Sequence, residues 1–257
     1  MEEGKATFFR SGDRASQDEA SVPGDRGAAR SKRRVLVELA VSYALILIVI
    51  WTPRPWQQPL YIVAVLFIAV SMWLSSDGWN AMGFRRANFF QSLWVPGVAL
   101  VAAALAIAEA RHLDTLHPTG PLSLYVKNFW GYAIWSLVQQ ILLQGFFLLR
   151  LIRLLPSART AAIIAASTFA VAHLPNPILT VMTMVWGLMA CFLFLRYRNL
   201  YSLGIAHAIL GICVAITLPG PVIRNMRVGL GYLTYPRHHR METISTTAPR
   251  PYPHKRG

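Results

Sequence analysis

The sequence predicts an all-α, polytopic membrane protein, a helical bundle of seven to eight transmembrane helices. Three observations carry that expectation. Of the 257 residues, 54% are hydrophobic, the mean hydropathy is +0.42, and long apolar runs alternate with short basic connections. Backbone polar groups in hydrocarbon must be paired within their own segment, so runs of this kind resolve into helices. The net charge of +14 sits in tails and loops that flank apolar segments, so it fits anionic headgroups and not nucleic acid. Cys191 and Cys213 fall inside apolar stretches with no zinc-site spacing, and read as small buried residues.

Residues 1–34 mix six acids with eight bases among Gly, Ser and Ala, which predicts a disordered basic cytoplasmic tail. The first apolar run starts only after Lys32-Arg33-Arg34 and is followed by others, so it reads as a retained helix and not as a signal peptide. Spans are expected at 35–51, 58–75, 90–110, 124–154, 159–174, 177–195 and 199–218. Residues 35–78 thus form N-terminal helices, 79–218 a core, and 219–257 a broken segment with a basic tail. The fourth span, at roughly 46 Å for its length, exceeds the bilayer and must tilt or project. Arg85, Arg86, Arg150, Arg153, Arg159, Arg196 and Arg198 mark one side as cytoplasmic, with the N-terminus inside a plasma membrane. The Arg150 and Arg153 pair reads as an interfacial anchor. The basic C-terminal tail would then lie outside, unless an eighth segment near 219–235 returns the chain.

Between Asp114 and Glu242 there is no acidic residue, yet the apolar helices carry Gln139, Gln140, Gln144, His173 and His207. Polar groups are costly in hydrocarbon without partners, so several on neighbouring helices predict a shared internal site. Gln140 and Gln144, Phe169 and His173, and His207 and Gly211 are each four residues apart and share a helix face.

At these residues the chain resembles the CAAX prenyl protease and bacteriocin-processing family, with its three motifs EExxxR, FxxxH and HxxxN or HxxxD. Gln139-Gln140-Ile141-Leu142-Leu143-Gln144 followed by Gly145 to Arg150 resembles the first motif with its charges gone. Phe169-Ala170-Val171-Ala172-His173-Leu174-Pro175-Asn176 matches the second, and Asn199-Leu200 with Ala206-His207-Ala208 resembles the third, where Gly211 replaces Asn or Asp. Met82-Gly83-Phe84-Arg85-Arg86 is similar to a segment that precedes the family's core, and the resemblance spans roughly 80–218. It implies a membrane endopeptidase that cuts a C-terminal or juxtamembrane peptide, with a peptide or lipidated protein as substrate. Gln139 then matches the glutamate that activates water, and Gln140 and Gln144 the paired glutamate and arginine. His173 matches a catalytic or water-binding histidine, and His207 with position 211 the oxyanion-stabilising pair.

The side chains limit what can be carried over. A carboxamide can orient water but has no useful basicity, and general-base catalysis contributes about 10² to 10⁴-fold. A neutral His173 is the alternative proton acceptor, and Glu109 is too far along its helix to help. Family members have been described as metal-dependent and as glutamate-based. His173 and His207 are the only candidate metal ligands, and with amide helpers alone they disfavour a divalent metal. A neutral triplet of glutamines is nevertheless coherent, because losing only one charged partner would strand a buried charge at roughly 3–5 kcal/mol. Three readings stay open: a variant endopeptidase, an inactive relative acting as a membrane binding, immunity or assembly protein, and a proton pathway through the two histidines. For the glutamines, a polar seam between helices weighs as much as a site; for Phe169, packing outweighs chemistry; Asn176 serves equally as a turn residue or helix cap.

Overall fold

The chain is described in a computed structural model that covers residues 23–75, 78–116 and 122–235. Helix α1 runs over Pro23–Trp51 and α2 over Arg54–Leu74, followed by the short α3 (Gly78–Ala81) and α4 (Phe89–Ser92). Next come α5 (Trp94–His112) and α6 (Leu122–Gln140), which passes through a π-helical stretch, Ile141–Leu148, into α7 (Leu149–Leu154). Helices α8 (Ala158–Val171), α9 (Pro177–Tyr197) and α10 (Leu200–Thr217) complete the bundle, and α11 (Gly220–Ile223), a 3₁₀ turn and α12 (Gly229–Leu233) follow. Among the described residues six stretches are long and apolar enough to cross a membrane: Ser31–Trp51, Arg54–Leu74, Phe89–His112, Phe129–Leu154, Pro177–Tyr197 and Leu200–Thr217. The remaining expected span is the shorter apolar helix Ala158–Val171. The protein is an all-α integral membrane bundle.

Three expectations need correction. Residues 23–34 are helical and not part of an unstructured tail: the helix that carries the first apolar run begins at Pro23, a residue whose fixed φ suits a first turn. The expectations for 1–22 and for the basic tail 236–257 fall outside the described residues. The 219–235 segment is broken as expected, but does not return across the bilayer: left-handed φ values at Arg224, Asn225 and Met226 interrupt it, leaving helices too short to span. It packs instead on the Trp51 end of α1, and Gly229 N–H donates to Leu174 O at 2.8 Å. Arg150, finally, is no interfacial anchor. Only 1% exposed, its guanidinium meets Glu38 at 3.1 Å, Ser71 O at 2.9 Å and the Phe146 ring at 3.8 Å, clasping α1 and α2 to the core. Arg34 shares Glu38, at 2.8 Å.

Close packing comes from small residues. Helix α8 buries Ala161, Ala162, Ala165, Ala166 and Ala170, and a Cβ on Gly187 of α9 would stand 3.5 Å from the Ala166 backbone. Helix α10 packs on α5 and α6, with Gly204 against Leu137. The segment from Met82 to Arg86 pins the start of α10: Leu200 N–H donates to Gly83 O at 3.0 Å and Asn199 Nδ2 to Arg85 O at 2.7 Å. Gly83 is required there, with φ +97 and Phe194 Cε2 only 2.6 Å from where its Cβ would be. At about 21 Å, α8 is shorter than the roughly 30 Å hydrocarbon core, and its His173 end meets the segment 219–235. The strap formed by 219–235 lies over it. Asn176 ties the two together, capping α9 through Leu179 N at 3.2 Å while Nδ2 donates to Ile223 O at 2.8 Å and Arg227 O at 3.1 Å.

Candidate active site

The polar residues converge where α6 and its π-helical continuation meet α8, α9 and α10. Tyr132, Ser136 and Gln140 recur every four residues and line one face of α6. Ser136, Gln140 and Gln144 are fully buried, and His207, on α10, is 6% exposed. The π-helical stretch begins directly after Gln140, and the wider turn brings Leu143 through Arg150 into the core on every side. Such turns recur at functional sites.

Two hydrogen bonds form a directed chain. Gln144 Nε2 donates to Gln140 Oε1 at 3.4 Å, and Gln140 Nε2 lies 3.1 Å from His207 Nδ1. Because the Gln140 oxygen is the accepting end, its nitrogen faces the ring, and an amide N–H can only donate. Nδ1 therefore holds a lone pair, and the neutral imidazole carries its proton on Nε2. The Ser136 carbonyl is a second polar neighbour of this ring. Gln144 Oε1 lacks a partner at hydrogen-bond geometry, the weakly donating Cys191 thiol being its polar neighbour.

His173 is held the other way. Its Nδ1 lies 2.7 Å from Phe169 O, and a carbonyl can only accept, so Nδ1 bears the proton and Nε2 keeps its lone pair. The Phe169 ring stands between the histidines, 4.8 Å from the His173 ring and 6.2 Å from the His207 ring. Trp186 of α9 flanks His207 at 5.7 Å, and its buried Nε1–H has no acceptor among the described residues.

Gln140, Gln144 and His207 are thus joined by hydrogen bonds, and the Phe169 ring touches both His207 and His173. Gln139 is partly buried and makes no hydrogen bond among the described residues; its neighbour Gln140 is the one that meets His207. Asn176 serves as a cap and strap anchor, away from the imidazoles. Gly211 is filled by a residue that sequence reasoning missed: a Cβ there would collide with the hydroxyl oxygen of Tyr132. The four-residue step from Gln140 back through Ser136 was the available signal for Tyr132; nothing in the pattern singles out Trp186. Cys191 and Cys213 are buried free thiols.

The donors do not fit a divalent cation. His173 Nε2 is the one imidazole lone pair left free, His207 presents Nε2–H, the amides bond one another, and among the described residues no three His, Cys, Asp or Glu side chains cluster.

Residues 121–213 match the family model described as type II CAAX prenyl endopeptidase Rce1-like. Over that segment the chain is similar to the type II CAAX prenyl endopeptidases. The matched segment runs from α6 through most of α10 and contains every one of the site residues named from sequence. The family's kind of activity is hydrolytic, a protease acting on peptide within a membrane bundle. No curated protein and no solved structure matches the chain.

Proposed function

We propose that this chain is a membrane-embedded endopeptidase of the CAAX-processing and bacteriocin-processing type, working through an uncharged site. It cuts a C-terminal or juxtamembrane peptide, free or on a lipidated protein, in a cavity within the bilayer. The observation that carries this reading is the opposed pair of tautomers. His173 Nε2 offers a lone pair to a water proton, while His207 Nε2–H offers a donor to developing negative charge. Water oxygen attacks the scissile carbonyl carbon, its proton passes to His173 Nε2, and the oxyanion takes the His207 hydrogen bond in place of the Ser136 carbonyl. Collapse of the intermediate breaks the C–N bond, and His173 returns the proton to the leaving amine. Gln139, with a free amide, orients the water through its carbonyl oxygen. Gln140 and Gln144 fix the His207 tautomer. No step runs through a metal.

The arginines at the Arg85, Arg86, Arg196 and Arg198 end support a cytoplasmic placement of that end and of the N-terminus, in the plasma membrane. One observation favours a second reading, an inactive relative that binds or assembles membrane partners: Gln139 replaces the family's base and touches no other polar group among the described residues. The two are separated by incubating purified protein in detergent micelles with a C-terminally prenylated peptide, following release of the C-terminal fragment. Hydrolysis lost in His173→Ala and raised in Gln139→Glu supports the endopeptidase. Intact peptide with both wild type and Gln139→Glu, alongside a cellular phenotype unchanged by His173→Ala, supports the inactive relative.

A further inference from the structure

The phenol of Tyr132 occupies a place that the backbone has to make way for. Its oxygen overlaps the space of a Cβ on Gly211, and two of its ring carbons crowd the same point, so α10 admits this hydroxyl because residue 211 has no side chain. Gly211 lies one turn from His207 on the same face of α10. Tyr132 itself belongs to the face of α6 that carries Ser136 and Gln140. A hydroxyl from α6 and an imidazole N–H from α10 are therefore delivered to one stretch of the helix interface.

The hydroxyl is not committed elsewhere by strong bonds. Its polar neighbour is the Ser136 side chain, and Ser136 Oγ already donates to the Tyr132 backbone carbonyl at 2.9 Å. The phenol proton can rest on the Ser136 oxygen and turn from it to a better acceptor. A second, independent sign says that an acceptor belongs in this site: the buried indole Nε1–H of Trp186, beside the same His207 ring, has no partner among the described residues. Buried donors without acceptors are rare, and beside the His207 ring the unpartnered group is a donor on a neutral ring; the unpartnered acceptor Gln144 Oε1 sits at the far end of the amide chain from it. The complementary ligand group is a carbonyl oxygen.

We infer that Tyr132 is a substrate-facing donor, which with His207 Nε2–H holds the carbonyl oxygen of the scissile peptide bond. This rests on the endopeptidase reading for its kinetic consequence but not for its binding consequence. It also accounts for Gly211: the donor that a longer side chain at 211 would provide from α10 comes instead from α6.

The test uses the full chain in detergent micelles and one probe, a C-terminally prenylated peptide, measured for both affinity and cleavage. Tyr132→Phe removes the O–H and keeps the ring, so the thermal midpoint should stay with wild type. If wild type cleaves the peptide, kcat of Tyr132→Phe should fall about 10² to 10³-fold with KM nearly unchanged, as for loss of an oxyanion donor. Unchanged kcat would overturn the inference and leave the endopeptidase standing. If wild type binds but does not cleave, the endopeptidase reading falls, and the inference is judged by affinity. A roughly two- to tenfold weaker Kd in Tyr132→Phe, the size of one neutral hydrogen bond, supports it, and an equal Kd overturns it. A wild type that neither binds nor cleaves overturns both. Packing is separated by Gly211→Ala, which should lower the thermal midpoint, and by Gly211→Ala combined with Tyr132→Ala, which should recover the midpoint without recovering kcat or affinity. Recovery of either by the double variant would reduce Tyr132 to a filler and overturn the inference.

Discussion

Two adjacent glutamines should respond oppositely to the same change. Gln140→Leu nearly conserves volume but strands His207 Nδ1 and Gln144 Nε2, both in fully or nearly fully buried side chains. A buried group left without a partner costs about 1–3 kcal/mol, and the 3.4 Å bond from Gln144 lies at the weak end. Transfer of the leucine side chain offsets about 1–2 kcal/mol, leaving a net loss of about 1–2 kcal/mol. Gln139→Leu breaks no hydrogen bond among the described residues and should stay within about 0.5 kcal/mol of wild type. The assay is reversible unfolding in mixed micelles titrated with SDS, read by tryptophan fluorescence. Under the proposed function the activities reverse the emphasis: Gln139→Leu should lose hydrolysis by misplacing water while remaining folded. Equal destabilisation by the two variants, or none by Gln140→Leu, would refute the directed amide chain and with it the tautomer assigned to His207.

The buried Arg150 clasp makes a further prediction: Glu38→Gln should destabilise by about 2–4 kcal/mol, somewhat below a fully buried pair because Glu38 keeps 13% side-chain exposure. Arg150→Met should cost less in the same SDS titration, since Glu38 retains Arg34. Asn176→Ala removes the α9 cap, about 1 kcal/mol, and both bonds to the strap, so limited proteolysis should cut within 219–235 faster than in wild type. Gly83→Ala forces φ +97 on a residue with a Cβ and drives that Cβ into Phe194, and should lower the thermal midpoint by an amount corresponding to about 1–3 kcal/mol.

The class of fold was legible because hydrocarbon leaves so few choices: six of the seven predicted spans reappear within a few residues, and the other is the shorter apolar helix Ala158–Val171. Site residues were legible where helical spacing fixes a face, as for Gln140 with Gln144 and His207 with Gly211. What periodicity cannot convey is which neighbouring helix a face meets. Gln139 and Gln140 differ by one position, and only packing against α10 decides that Gln140 takes His207. Tyr132 stayed hidden for the same reason, since its significance depends on a glycine 79 positions away in sequence. Arg150 read as an anchor because an arginine near a span end has two physical outlets, water or a buried carboxylate, and the distant Glu38 selects the second. The strap failed as an eighth crossing because Arg224, Asn225 and Arg227 break its apolar run and its backbone turns at Arg224 to Met226.

The loosened coil between Gln140 and Leu149 keeps the two ends of one long rod out of step, so that one end serves the imidazole and the other the guanidinium clasp. Each residue of an ordinary helix advances the direction by about 100°, so excising a single amino acid from 141–148 would tighten the coil and still leave a continuous rod. Its two clients would no longer be addressed together. Length changes of one residue in this stretch should therefore be far more damaging than substitutions, although neither interrupts the helix.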